Sequence, residues 1–581
     1  MSHASASNKP IARALTGAAA LLLLAGCVPF EAPVSHRLQR LIDAAETAPD
    51  RRGVPLAERD PTSIEDATDA FIEREIALAG ADADPESGAP ITIADLRVSV
   101  IRNNLDLRVA EIAPRLAGET LNAERAKFDA VFVADLAYVN QDLPKGKSSI
   151  FDLSSNDPLL DKASAILSEA EQDREALKGG AGLIAPLPSG GKIGIKQSVE
   201  IDDKTGSGLD STTDRAATTF SISQPLLRGA GVEVNTASIR LARLGAGVEA
   251  AKAKLTLIRV LASAEKAYWR LYAAQKGLEV QREHLRLAIE NRDLVVQLVE
   301  EGLTPPVERF AADLAVAQQL EDMVVGETAV RLRARDLSRI LNRDDLPLGD
   351  PAAIRVASDP VLQRYQIDPD ALAGRALDER LELLEVELKL AADAIKIGLA
   401  ENATLPVFVL DFEFGLGDRS STIGSSIANS FEFDNPQWAI GASAAIPITN
   451  DAAEARLRRS MLARLQTTAT REQKRLKIRQ EVYDAADVLE QNWQRILAAR
   501  QNVIAAGANY EAEQRLFREG LRTAQDVLVA LQQLGKARQK EVKVIAAYQA
   551  AQIDLAYATG SLLGYAGTEI TPEPADASPV Q

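Results

Sequence analysis

The sequence predicts a mainly α-helical protein with a smaller β part, folded as two copies of one structural unit. Composition is the first reason: aromatics are only 4% of 581 residues, and Ala, Leu, Arg, Glu and Gln crowd the second half, which suits long helices and not sandwiches. The second is a change of period. Helical apolar spacing gives way at a few places to stretches rich in Val, Phe and Tyr, such as FDAVFVADLAYV, which read as strands. The third is repetition: helix, strands, long helix, corner and returning helix follow one another in that order twice.

Residues 1–26 read as a secretory signal, with Lys9 and Arg13 before the apolar run Ala14 to Leu24 and small residues before Cys27. Leu24-Ala25-Gly26-Cys27 resembles a bacterial lipobox, which makes Cys27 the lipidated start of the mature chain. Val28 rather than Asp behind it implies export to the outer membrane. Cys27 is the only cysteine, so an intrachain disulfide or a cysteine zinc site is excluded. Residues 27–90, with ERDPTSIEDATD and GADADPESGAP, read as a tether. No later run of about 18 apolar residues exists, so a membrane crossing must be made by a closed β-barrel.

The first repeat is expected over 91–341 and the second over 370–563, with a linker at 342–369 and a Pro-rich tail at 564–581. A helical stretch from 91 leads into a strand near 128–140, and the same succession from 376 leads into a strand at 405–415. Further strands, near 191–225 and 437–447, end at Pro225 and Pro447. A missing N–H and a fixed φ are tolerated there, where strand becomes helix. The copies are offset by 276 at Asp106 and Glu382 but by only 222 at the two prolines, which puts 54 extra residues in the first copy. They are assigned to an inserted loop at 141–190, with a short helix at LLDKASAILSEAEQDREAL.

Gly231 to Glu301 and Asp451 to Glu519 predict helices near 105 Å long, far longer than a bilayer is thick. The returning helices, 304–341 and 522–561, reach only about 57 Å, and the helix opening each copy supplies the missing half if it stacks on them end to end. Leu241, Leu244, Val248, Ala251, Leu255 and Ile258 step 3-4-3-4-3, while Leu261, Ala264, Tyr268 and Leu271 form a second stripe. Two stripes give one helix two neighbours, as in a closed cylinder or a bundle core. Both corners read Glu-Gly-Leu: Gly302 and Leu303, then Gly520 and Leu521, with glycines suited to φ > 0.

RNNLDLRVAEI, SQPLLRGAGVEV, AEKAYWRLYAAQKGLE, IPITNDAAEARLRRS, REGLRTAQDVLVALQQLGKARQ and AYQAAQIDLAYATGSLL, in this order, resemble TolC-type outer-membrane efflux proteins from about residue 91 to 565. The resemblance implies a homotrimer whose α-helical barrel, four rods per chain, continues into a twelve-stranded β-barrel, four strands per chain, set in outer-membrane lipid. Four strands cannot close a membrane barrel alone, which independently requires oligomerisation. The implied function is a passive exit duct without enzymatic activity or cofactor, serving efflux or secretion. A periplasmic adaptor would join it to an inner-membrane pump of the resistance-nodulation-division (RND) or ABC type. A periplasmic coiled-coil lipoprotein acting as scaffold or adaptor is the alternative, and it would lack membrane strands.

The resemblance also implies a periplasmic tip. Gly302, Leu303, Gly520 and Leu521 would meet the adaptor there. Asp526 takes the position of an acidic ring and Val529 that of a second ring, here apolar. Arg522 matches an arginine that locks the closed tip, and Glu308 is the corresponding acid of the first corner. Three Asp526 carboxylates near an axis would attract cations, and a Val529 ring would form a dewetted constriction. A plainer reading makes Asp526 a helix N-terminal acid and Arg522 a solvated charge.

Other chemistry is scarce. A net charge of −17 without a basic patch disfavours nucleic acid. SGGKIG lacks the Walker spacing and reads as a loop entering a strand. His284 is expected to be solvated on a charged helix face. Trp438 is expected in an interfacial girdle, and Trp269 and Trp493 in helix packing.

Overall fold

The computed structural model describes residues 71, 72, 74, 88–143, 172–205, 211–349, 354–420, 423–432 and 434–565. The signal, Cys27, most of the tether and nearly all of the tail lie outside the described residues. The first copy runs β1 (Ala89–Ile91), α1 (Ile93–Asn103), α2 (Leu105–Arg125), β2 (Val131–Leu143), β3 (Gln172–Pro186), β4 (Lys192–Thr205), β5 (Ser211–Pro225), α3 (Ala237–Glu300) and α4 (Val307–Leu341). The second runs β6 (Ile354–Val356), α5 (Pro369–Glu379), α6 (Leu381–Ala403), β7 (Val407–Ser420), α7 (Ile423–Asn429), β8 (Pro436–Ala445), α8 (Asp451–Arg518) and α9 (Ala524–Ala558).

Each copy opens with a helix that breaks once, at equivalent places. Asn104 ends α1, and its side-chain oxygen caps α2 by accepting from the Leu107 amide at 3.1 Å. Its Nδ2 donates to the Ile340 carbonyl at 2.8 Å, while Asn342, left-handed at φ 46, donates to the Asn103 carbonyl at 3.1 Å. These bonds satisfy open helix ends and seat α2 on the end of α4. Arg380, 276 positions further on, breaks α5 from α6 and is buried against the end of α9, its guanidinium 5.6 Å from the Tyr557 ring. It pairs with Glu382 at 2.6 Å and with Glu481 of α8. Burial opposes its charge, but the two carboxylates outweigh that and raise its pKa.

The two composite rods therefore stand beside two continuous ones. With 64 and 68 residues, α3 and α8 are about 96 and 102 Å long. Leu261, Ala264, Tyr268 and Leu271 are fully buried, and the other predicted stripe is buried from Val248 to Ile258. Helix α3 packs against α2, α4, α6 and α9, and α8 against α5, α6 and α9. Mid-length, α3 also clamps the two linkers where they pair as the parallel strands β1 and β6. The Tyr268 hydroxyl donates to the Ile91 carbonyl at 3.0 Å and accepts from the Ser358 amide at 2.9 Å.

The sheet differs from expectation. Among the described residues six strands, not four, form one antiparallel sheet in the order β2-β3-β4-β5-β7-β8. The segment read as a strand over 191–225 is two strands, and residues 172–186, expected within a loop and partly helical, form β3. The reason lies in composition: LKGGAGL dilutes the period-two pattern with glycine, and the preceding residues are good helix formers.

His284 also departs from expectation, since only 2% of it is exposed. It packs against Gly535 of α9, where an added Cβ would lie 3.2 Å from the ring. Burial, aided by Arg538, lowers its pKa to about 4.

Candidate functional site: the corners

Both corners are built by the same six-residue device. In the first, the Gly302 amide donates to the Val299 carbonyl at 3.1 Å and Leu303 to Leu298 at 2.9 Å; in the second, Gly520 donates to Phe517 and Leu521 to Leu516, both at 2.9 Å. These are the paired bonds of a Schellman C-cap, and the glycines stand at φ 71 and 74, where a side chain is strained. Leu303 and Leu521 are left 70% and 68% exposed, apolar side chains at the turn of each hairpin. Val307 and Phe310 extend that apolar surface along α4.

The restarts differ. Helix α4 begins after Pro305-Pro306 with no side-chain cap, whereas Thr523 and Asp526 form a capping box at the start of α9. The Asp526 carboxylate accepts from the Thr523 amide at 3.1 Å and hydroxyl at 2.9 Å, and the Thr523 oxygen accepts from the Asp526 amide at 3.3 Å. Those bonds hold the Asp526 carboxyl below the usual carboxylate range. One turn on, Val529 is 42% exposed on the same side of α9, while Val527, Leu528, Ala530 and Leu531 are buried.

Arg522 reaches back across the corner, its Nε 3.2 Å from Glu513 of α8. Arg522, Asp526 and Val529 thus lie together at the second corner. Glu308, in the first turn of α4, is half-buried with one carboxylate oxygen that makes no hydrogen bond. Sequence reasoning missed Glu513; the signal was an acid two helical turns before the corner glycine, within reach of an arginine just after it. Among the described residues no group of three or more His, Cys, Asp or Glu is placed to hold a metal ion. No described helix is long and apolar enough to cross a membrane.

At the other end, Pro225 and Pro447 lie where the strands hand over to the long helices. The Leu226 and Arg228 amides, just past Pro225, donate to the Phe408 and Pro406 carbonyls at the foot of β7. Sheet and rods are one continuous body through that junction.

Helical rods of this length, joined to an antiparallel sheet through two internal repeats, are the architecture of several solved outer-membrane channels. The solved structures say the same of the fold. The chain is similar to the outer membrane protein VceC of Vibrio cholerae, at 15% identity over 81% of this chain and 96% of that one, with a TM-score of 0.58. It is also similar to the CmeC outer membrane channel of Campylobacter jejuni, at 13% identity over 88% and 94% of the two chains and a TM-score of 0.58. The open state of the Neisseria gonorrhoeae MtrE channel matches at 17% identity over 81% and 89%, with a TM-score of 0.57. The family model described as outer membrane efflux protein matches residues 372–561. Residues 372–561, in the second repeat, thus carry the signature of the outer membrane efflux proteins, and the chain as a whole shares the fold of the solved channels. No curated protein sequence matches it.

Proposed function

We propose that three copies of this chain form a passive exit duct through the outer membrane, completing a tripartite efflux or secretion system. The observation that carries the reading is one rigid run from an antiparallel sheet, long enough to cross a bilayer, into rods of about 100 Å that end in exposed apolar corners. A periplasmic adaptor would dock on Leu303 and Leu521, and an RND or ABC pump would supply the energy. Cys27, after removal of residues 1–26, would carry lipid and fix the chain in the outer membrane.

The second corner is the gate in this reading. Arg522 bound to Glu513 holds α9 against α8, Asp526 supplies a ring of negative charge, and Val529 narrows the passage beneath it. Glu308 belongs to the outer corner. Trimers purified in detergent should conduct ions in planar bilayers; a β-poor monomer, soluble once delipidated, would sink the reading in favour of a periplasmic scaffold.

A further inference from the structure

We propose that the hairpin β3–β4 is part of the membrane wall, so that three copies close an eighteen-stranded barrel and not a twelve-stranded one. This rests on the trimeric duct proposed above. Strand number, face, length and anchoring each support it.

On one face of the sheet an apolar row crosses all six strands. Phe132, Leu183, Ile195, Phe220, Phe414 and Trp438 lie directly opposite one another in consecutive strands. Along β3 that face continues through Leu177, Gly179 and Ala181, and along β4 through Ile193, Val199 and Ile201, as period two requires. Asp214 and Asp418 lie on it toward the far ends of β5 and β7, and Gln197 and Thr218 interrupt it mid-strand. The latter two are satisfied locally: Thr218 donates to Gln197, and Gln197 donates to Ser430, just after α7, at 3.2 Å.

The opposite face of β4 is polar, and ion pairs tie it to β3 and β2. Lys178 pairs with Glu200 at 3.0 Å, and Lys196 reaches over β3 to Asp135 of β2 at 2.6 Å. Gly180 sits between them, and a Cβ there would lie 2.4 Å from Lys196 Cε and 3.0 Å from the Asp135 carboxylate. That glycine keeps the crossing open. An apolar side toward lipid and a charged side toward water is the pattern of a porin wall strand, whereas a plug inside the lumen would have water on both sides.

Length and anchoring agree. The two strands have 15 and 14 residues, as many as β5 and β7, and more than the roughly 9–11 a tilted strand needs to cross. Their turn ends level with the strand-to-helix junction and is tied into it. The Gly231 amide donates to the Ser189 carbonyl at 3.0 Å, and the Ser189 hydroxyl to Gln224 at 2.8 Å. Gly190, at φ 92, backs so closely onto Gly229 that a Cβ would strike its carbonyl at 2.2 Å.

Six is an even number, so β2 and β8, the two edges, run in opposite directions. Edge β8 of one copy therefore meets β2 of the next antiparallel, and three copies leave no free edge. Barrel diameter grows roughly linearly with strand number, so the lumen would be about 1.5 times as wide as with twelve strands.

The test uses the full-length trimer in outer-membrane vesicles. Leu183→Cys and Ile195→Cys should resist a water-soluble maleimide and react with a lipid-dissolved one, while Lys196→Cys should do the reverse. Equal labelling of all three by the water-soluble reagent would place the hairpin outside the wall and overturn the proposal. Excision of Gln172–Thr205 leaves β2 rising and β5 descending, and should narrow the polymer size admitted from the outer side by about a third in diameter. Conduction by both proteins with one exclusion limit overturns the wide barrel and leaves the duct standing. Absence of conduction from both overturns the duct and the barrel together. Where the excised protein does not fold, the labelling pattern decides.

Discussion

Replacing Arg522 by Ala tests the proposed gate most directly. The Arg522 side chain is 49% exposed and its partner Glu513 19%, so the pair belongs with surface ion pairs, each contributing about 0.2–1 kcal/mol. Three symmetry-related pairs would favour the closed tip by roughly 0.6–3 kcal/mol, about a 3- to 150-fold shift in the closed-to-open ratio at tenfold per 1.4 kcal/mol. The start of α9 should survive the substitution, because the Thr523–Asp526 capping box is independent of Arg522. Single-channel recording of the trimer reads the open probability directly, and Glu513→Gln should reproduce the effect. Salt supplies a further check: raising it from 0.1 to 1 M shortens the screening length from about 10 to 3 Å, which should loosen the native tip and leave Arg522→Ala unmoved. Identical open probability and identical salt response in the native protein and the variant would refute the pair as a latch.

Arg380→Met would leave Glu382 and Glu481 without their buried partner, and a loss of about 3–5 kcal/mol is expected in denaturant unfolding followed by helical circular dichroism. Gly302→Ala and Gly520→Ala should each cost roughly 1–2 kcal/mol, and nearly the same amount, since both glycines hold one left-handed C-cap geometry; unequal thermal shifts would break the equivalence. His284 has its pKa lowered from 6.5 to about 4, so the unfolded chain takes up this proton first. Its contribution is therefore intact above pH 6.5, declines as pH falls, and is lost by about pH 4, for a total of roughly 3 kcal/mol. Urea midpoints at pH 7 and pH 5 should show this slope in the native protein and a shallower one in His284→Asn.

The rods were legible because a 3-4 apolar step survives in any context that buries one helix face, and Val248 to Leu271 is buried as read. The corners were legible because Glu-Gly-Leu is a local device whose glycine has one conformational purpose. What stayed hidden depends on partners distant in sequence. Asn104 and Arg380 look like ordinary residues inside a helical period; only the ends of α4 and α9 make them joints. His284 lies among charges in the sequence, and its burial follows from Gly535, some 250 residues away, leaving room for a ring. Glu513 becomes part of the corner only once the chain has turned. In β3 the glycines that open room for Lys196 also erase the alternation by which a strand is recognised.

The joints between stacked helices carry a consequence for the order of assembly. Asn104 and Ile340 are separated by 236 residues, so the bond between them closes a loop containing four strands and the whole of α3. Helices α3 and α8 can form from neighbours in the chain, but the composite rods cannot be completed until the strands have doubled back. Non-local closure of this kind is slow, because chain entropy is lost before the contacts compensate. A folding chain should therefore display two long helices early and acquire the Asn104 joint late, making closure of that joint a natural marker that the strands of the first copy have found their places.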